Sequence, residues 1–359
     1  MTAPVSIPLD EGKAVRSGEA LDVPAVDAWL KAQVPSLQGT PEVTQYTGGA
    51  SNWTYRLKYE NRDLILRRPP SGTKAKSAHD MSREYTVQQA LKPVYPVVPT
   101  MVGLCQDPAV LGAEFYVMDR IPGLIPRKHL PKGLDLDKAR TRQLCLNVVD
   151  QLIALHGVDA QAVGLQSLGK GPGYPQRQIS GWSDRYEKAR TWNVPRMKHT
   201  REWLAAHVPP DIKTCVIHND WRFDNVVLKP EDPTQVIGVL DWEMATLGDP
   251  LMDLGNTLAY WVQADDDAFL RMTRRQPTDL PGMLTREDVV AYYLERTGLK
   301  PANWTFYEVY GVFRLAVIAQ QIYYRYHHKQ TRNPAFKNYW LIVNYLAYRC
   351  RQLIKKAGG

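Results

Sequence analysis

The sequence predicts an α+β protein, with a small antiparallel sheet and one main helix ahead of a larger, mostly helical part. Three observations carry that prediction. Between residues 42 and 118, short runs rich in β-branched and aromatic residues alternate with turn signals. From Ala139 onward, apolar residues return at helical spacing. Between the two patterns, D-R-I-P-G-L-I-P at 119–126 breaks regular structure with two prolines and a glycine, which marks a hinge and divides the chain into parts at 1–119 and 120–359.

The elements follow in order. After a polar start, D-V-P-A-V-D-A-W-L-K predicts a first helix with Asp22 as cap and Pro24 in its first turn. E-V-T-Q-Y (42–46), W-T-Y-R-L-K-Y (53–59) and D-L-I-L-R-R (63–68) read as consecutive antiparallel strands, joined at G-G-A-S-N and Y-E-N-R. A helix over 78–91 carries Met81, Tyr85 and Leu91 and stops at Pro93. Residues 96–100 and 114–118 supply two more strands. In the second part, Leu144, Val148, Leu152 and Leu155 share one helix face. A glycine-rich loop, G-K-G-P-G-Y-P, comes next. Further helices are expected over 182–189, 197–206, 251–262, 286–297, 307–324 and 338–355, interrupted by strands near 215–218, 226–228 and 236–240. Asp265–Asp267 and the neighbouring R-M-T-R-R-Q-P read as a solvated loop.

Composition bounds the function. With 359 residues and 44% apolar content the chain can bury a large core. Its four cysteines lie far apart with no C-x-x-C pair, which gives no support to a zinc knuckle or a disulfide framework and fits a reducing compartment. The N-terminus shows no basic segment followed by an apolar one, and no apolar run is long enough to span a bilayer, so a cytoplasmic location is expected by elimination. The formal charge of +8 reads as scattered, without the aromatic-basic stripe of a nucleic-acid groove. It fits a polyanionic small molecule such as a nucleotide or coenzyme A, or solubility alone.

The chemistry concentrates in H-N-D-W-R-F-D-N, His218–Asn225, and in V-L-D-W-E around Asp241. Asp220, Asn225 and Asp241 fall at the ends of short strands, a spacing suited to holding a divalent metal against phosphate oxygens and orienting a hydroxyl. Asp220 is the candidate base, taking the acceptor proton late in transfer. Asn225 and Asp241 offer the hard oxygens that Mg2+ prefers. Arg222 can offset charge on the transferring phosphate. His218 reads as packing under the loop; Glu243 reads either as a second metal ligand or as a cap. Gly48, Gly49, Ser51 and Asn52 form a turn whose N–H groups can cover nucleotide phosphates, a weak signal alone. Arg67 is a phosphate-binding candidate that Glu84 could hold in place. A G-x-x-x-x-G-K phosphate loop, a D-G-x-G calcium loop and an H-E-x-x-H helix are absent.

In this order, G-G-A-S-N, L-I-L-R, R-E-Y, V-M-D-R-I-P-G, H-N-D-W-R-F-D-N and L-D-W-E make the chain resemble the aminoglycoside phosphotransferase and choline kinase superfamily. L-R-R-P-P-S-G, C-Q-D-P-A-V-L-G-A-E-F-Y-V-M and L-D-W-E-M-A-T-L-G-D-P-L-M-D-L make it similar to the branch of kinase domains associated with acyl-CoA dehydrogenases. The resemblance implies a protein-kinase-like bilobal fold and ATP- and Mg2+-dependent transfer to a small-molecule hydroxyl. It puts Asp220 on the catalytic base, Asn225 and Asp241 on the metal ligands, Arg67 on the phosphate-binding lysine and Glu84 on its helix partner. It further puts the backbone near Met118 against adenine, and Asp249 and Asp253 beneath the loop. Two departures stand out: Arg67 replaces a lysine, and Asn219 replaces a glycine. The acceptor implied by the branch is a hydroxyacyl-CoA or hydroxy acid; the alternatives are an aminoglycoside or amino alcohol, or a catalytically silent binding module. A protein substrate fits poorly, because G-D-P-L-M-D-L follows Asp241 without room for a long activation segment. Monomer and homodimer both remain open.

Overall fold

A computed structural model of the chain describes residues 9–46, 52–70 and 80–358. In chain order the elements are α1 (Val23–Gln33), β1 (Glu42–Tyr46), β2 (Trp53–Lys58), β3 (Asp63–Arg68), α2 (Met81–Leu91), β4 (Met101–Cys105), α3 (Pro108–Leu111) and β5 (Phe115–Asp119). They continue with α4 (Lys138–His156), α5 (Tyr174–Ala189), α6 (Lys198–Ala206), β6 (Cys215–Ile217), β7 (Val226–Leu228), β8 (Val236–Val239) and β9 (Thr246–Gly248). The chain closes with α7 (Pro250–Ala259), α8 (Ala268–Thr273), α9 (Arg286–Thr297), α10 (Trp304–His327) and α11 (Tyr339–Lys356). Two units result: one built from residues 1–136, 162–165 and 223–245, the other from 137–161, 166–222 and 246–359.

The first unit is a five-stranded antiparallel sheet in the order β1-β2-β3-β5-β4. Strand alternation explains its two faces, because successive side chains point to opposite sides. Leu64 and Leu66 of β3 join Tyr55, Leu57, Phe115 and Val117 in one cluster, which α1 covers with Val26 and Leu30. Ile65 joins Tyr116, Met118 and Met81 of α2 on the other face. Arg67, two residues after Ile65, therefore falls on the α2 side, directly opposite Tyr116 in the register. Asp22 caps α1 as expected, accepting from the Ala25 N–H at 3.1 Å. The β7–β8 hairpin belongs to this unit and is tied to it by Leu124 N–H to the Leu228 carbonyl at 2.9 Å and Val239 N–H to the Val97 carbonyl at 2.7 Å.

The second unit is helical, apart from the β6–β9 pair. Its central crossing is that of α7 and α10, where a Cβ on Gly255 would lie 2.4 Å from the Tyr307 carbonyl oxygen and one on Gly311 2.1 Å from the Gly255 carbonyl oxygen. Only glycine permits that backbone approach.

Several expectations need correction. The fourth strand is Met101–Cys105, not 96–100, because Tyr95 and Val98 bury their side chains in turns instead. The helix expected over 182–189 begins eight residues earlier, at Tyr174, with Pro175 in its first turn. The region after Asp265 is not a solvated loop: Asp267 caps α8, and Asp266 forms a bidentate pair with Arg286 at 2.8 and 2.7 Å. No described helix is long and apolar enough to cross a membrane.

Candidate functional site

In the first unit, Asn225 and Asp241 stand at the same end of the β7–β8 hairpin. Antiparallel pairing sets Val226 opposite Val239, and the Leu240 N–H donates to the Asn225 carbonyl at 2.8 Å. Asp241 adopts the left-handed conformation, φ 65°, which costs an L-residue roughly 1–2 kcal/mol and turns the chain sharply after β8. Its Oδ1 accepts from Arg67 Nη2 at 3.1 Å; the side chain is one-third exposed.

Arg67 is buried among acids. Glu84 of α2 lies 3.6 Å from its Nη1 and Glu243 3.8 Å from its Nη2, so both act on it through charge rather than direct hydrogen bonds. Burial alone would lower the Arg67 pKa, but Tyr116, Glu84, Asp241 and Glu243 raise it well above the ordinary value. Glu84 takes its hydrogen bonds elsewhere: from the Tyr116 hydroxyl at 2.8 Å and from Asn52 Nδ2 at 3.0 Å. Burial pushes the Glu84 pKa up while Arg67 opposes the shift. Asn52 also donates to Glu243 at 3.1 Å. Gly48, Gly49 and Ser51 lie outside the described residues. Met118 is buried in β5, opposite Ile65 on one side and Met101 on the other. The next two backbone N–H groups are engaged, Asp119 to the Thr100 carbonyl at 2.9 Å and Arg120 to the Asp63 carbonyl at 3.0 Å.

In the second unit, the loop after β6 carries His218, Asn219, Asp220 and Arg222. Asp253, fully buried in α7, clamps it from below: its two carboxylate oxygens accept the His218 and Asn219 N–H groups, both at 2.8 Å. His156 of α4 reaches Asp253 through Nε2 at 3.1 Å, and its Nδ1 meets the Tyr293 hydroxyl at 2.6 Å. Burial would raise the Asp253 pKa, but the His156 hydrogen bond and charge, with His218, hold it below the usual range.

Asn219 sits at φ 64°, where its side chain is among the few that tolerate a left-handed backbone. Its Oδ1 accepts from Asn256 Nδ2 at 3.3 Å, and its carbonyl accepts from Arg314 Nη2 at 2.9 Å. Arg314 lies buried on α10 with its guanidinium 5.2 Å from the Trp182 ring centroid. Asp220, one residue on, is thus carried by a backbone fixed from α7 and α10. Arg222 lies 3.3 Å from Asp220 and 5.3 Å from the Tyr260 ring centroid. Asp249 does not brace this loop; it caps α7, accepting from Leu251 and Met252 at 2.7 and 3.1 Å.

Sequence reasoning missed Tyr116 and His156 and, for Arg314, its bond to the Asn219 carbonyl. Alternation places Tyr116 beside Arg67 once the strand register is known, whereas nothing local marks His156 or Arg314. Among the described residues no three His, Cys, Asp or Glu side chains form a metal cluster. A hard ion held chiefly by phosphate oxygens and waters needs only one or two protein oxygens. The Asn225 amide and the Asp241 carboxylate fit that requirement in chemistry, and their backbones stand at the same end of the hairpin; one Asp241 oxygen bonds Arg67, and no hydrogen bond to the other is formed among the described residues.

A sequence model described as the phosphotransferase enzyme family matches residues 42–286. Mouse acyl-CoA dehydrogenase family member 10 is 35% identical over 325 residues, which is 90% of this chain and 30% of the mouse protein. The chain therefore spans about a third of that relative's length. A solved structure from Ralstonia eutropha JMP134, provisionally assigned as an aminoglycoside phosphotransferase, superposes with a TM-score of 0.79 at 29% identity, covering 94% of this chain and 99% of that one. Choline kinase from Cryptosporidium parvum shares the protein-kinase-like fold with a TM-score of 0.62 at 12% identity, covering 94% and 97% of the two chains.

Proposed function

Because the chain belongs to the phosphotransferase enzyme family, whose members are small-molecule kinases with hydroxyl acceptors, we propose that it moves the γ-phosphate of ATP to a hydroxyl of a hydroxyacyl-CoA or hydroxy acid with Mg2+ as cofactor. The observation that carries the reading is the grouping of Arg67, Asn225 and Asp241 in one unit: a buried cation bonded to the Asp241 carboxylate, with Asn225 at the same end of the hairpin as Asp241. The acyl-CoA element rests on the names of relatives of which this chain covers a part. The assignment of 1–119 and 120–359 as nucleotide and acceptor lobes, hinged near 119–126, belongs to the same proposal.

Asn225 and Asp241 would hold Mg2+, which when bound neutralises phosphate charge. Arg67 offers N–H donors to a phosphate oxygen, and the Asp241 carboxylate competes for one of them. Glu84, fixed by Tyr116 and Asn52, keeps the guanidinium on the α2 side of the sheet. The acceptor oxygen forms its bond to the γ-phosphorus as the β–γ bridging bond breaks; the acceptor proton passes to Asp220, and ADP leaves. Arg222 counters the Asp220 charge before transfer and the phosphoryl charge during it.

The test is phosphate incorporation from labelled ATP across hydroxyacyl-CoAs, free hydroxy acids, amino alcohols and aminoglycosides, followed by Asp220→Asn on the acceptor found. Loss of most transfer with nucleotide binding retained supports the base role. Full activity in that variant sinks it. Transfer to aminoglycosides alone overturns the acceptor assignment.

A further inference from the structure

A cavity of about 520 Å³ opens between the end of α5 and α6, walled by Glu187, Arg190, Arg196, Lys198, Arg201 and Glu202. Its basic residues are not as scattered as their positions in the chain imply. The segment Asp184–Glu202 holds six Lys or Arg against three acids, and the fold turns four of those cations toward one space. Two glutamates offset only part of that charge. Glu187 is shared between Arg201 and Arg190, the latter at 3.6 Å, and Glu202 lies 3.7 Å from Lys198. Arg196 is exposed and forms no ion pair among the described residues. Arg190 and Arg201 each bury Nε without an acceptor.

Trp192, on the loop between the two helices, is 84% exposed. Its loop is nevertheless fixed. The Tyr186 hydroxyl donates to the Pro195 carbonyl at 2.6 Å, Asn193 Nδ2 to the Tyr323 hydroxyl at 2.9 Å, Asn344 Nδ2 to the Asn193 carbonyl at 3.1 Å and Gln320 Nε2 to the Ala189 carbonyl at 2.7 Å. An indole carried on an anchored loop and facing solvent near a cationic cavity is suited to stacking on a base while the cations meet phosphates.

We propose that this cavity binds the phosphorylated nucleotide end of a coenzyme A thioester, with Arg190, Arg196, Lys198 and Arg201 on its phosphates and Trp192 on its adenine. The proposal rests on the acyl-CoA acceptor argued above and adds the place where the acceptor is gripped. Helix α10 provides the scale. Arg314 bonds the residue before Asp220, while Gln320 and Tyr323 hold the Trp192 loop, six and nine residues further on. At about 1.5 Å per residue those anchors are roughly 9–14 Å apart along the helix. The pantetheine arm, comparable to about four extended residues or roughly 13 Å, covers that separation.

Calorimetric titration with free CoA and with pantetheine tests the cavity directly. CoA is expected to bind at least tenfold more tightly than pantetheine. Arg196→Glu with Lys198→Glu, both at exposed positions, and separately Trp192→Ala, are expected to weaken CoA by tenfold or more. Equal binding of CoA and pantetheine, or full CoA affinity in the double variant, overturns the proposal. In turnover, the KM of a hydroxyacyl-CoA should lie at least tenfold below that of the matching hydroxyacyl-pantetheine, and the charge-reversed variant should bring the two together. If neither thioester accepts phosphate, the acceptor assignment fails separately, and the CoA titration still decides the cavity.

Discussion

Replacing Asp253 by Asn changes one atom and tests how firmly the Asp220 loop depends on a buried charge. The carboxylate accepts three hydrogen bonds, from the His218 and Asn219 N–H groups at 2.8 Å each and from His156 at 3.1 Å. If the amide oxygen takes the place of Oδ2, it keeps His218 and His156, and the new NH2 then opposes the Asn219 N–H, donor against donor. Hydrogen bonds to charged groups contribute about 1.5–3 kcal/mol, and breaking a buried charged cluster from one side costs about 3–5 kcal/mol. The expected loss is therefore about 3–5 kcal/mol, or roughly 4–7 °C in Tm for a chain of this size. Misplacing the loop by about 1 Å should lower kcat on the identified acceptor by about 100-fold.

The same variant has a pH signature. The folded Asp253 pKa lies below its unfolded value, so its stabilisation is complete above about pH 4 and fades as pH falls through the folded value. The gap between wild type and Asp253→Asn should accordingly narrow on acidification below about pH 4. Urea unfolding from pH 3 to 8, paired with steady-state kinetics, measures both effects. A variant within about 1 kcal/mol of wild type at pH 7 with full kcat refutes the clamp.

Other outcomes follow from the same geometry. Asp249, pushed up to about 6 by burial, accrues a cost as it ionises between about pH 4 and 6. Asp249→Asn should consequently gain about 3 kcal/mol relative to wild type between pH 4 and pH 8, and parallel stability curves would count against this. Asn219→Gly should stay within about 1 kcal/mol of wild type in urea midpoint, whereas Asn219→Ala should fall below the glycine variant because alanine disfavours φ 64°. Arg67→Ala leaves Glu84 buried without its cation; a loss of about 3 kcal/mol is expected, with KM for ATP rising more than KM for the acceptor. An unchanged KM for ATP would remove Arg67 from the nucleotide side.

Periodicity made the sheet legible, since alternating residues in D-L-I-L-R-R report which face is buried and thus where Arg67 points. The helix over Tyr174–Ala189 was read eight residues short because its start, G-P-G-Y-P, resembles a loop; Pro175 in fact occupies the first turn, where it loses no hydrogen bond. The stretch after Asp265 was misread for a related reason. Aspartates look solvated in a sequence, yet Asp267 caps a helix and Asp266 is paired with Arg286 across a packing contact.

By itself the sequence determined most of the order of strands and helices, the residue types able to handle phosphate and metal, and the tolerance of position 219 for a left-handed backbone. These properties are local: they depend on neighbours a few positions away. Tertiary structure alone decided that Arg67 bonds Asp241, 174 residues distant, and that Arg314 holds the carbonyl of Asn219, 95 residues distant. It also gathered the Arg190–Arg201 cations around one cavity. Such partnerships depend on how closely elements approach, as where Gly255 and Gly311 let α7 and α10 meet backbone to backbone, and no periodicity along a chain encodes that distance.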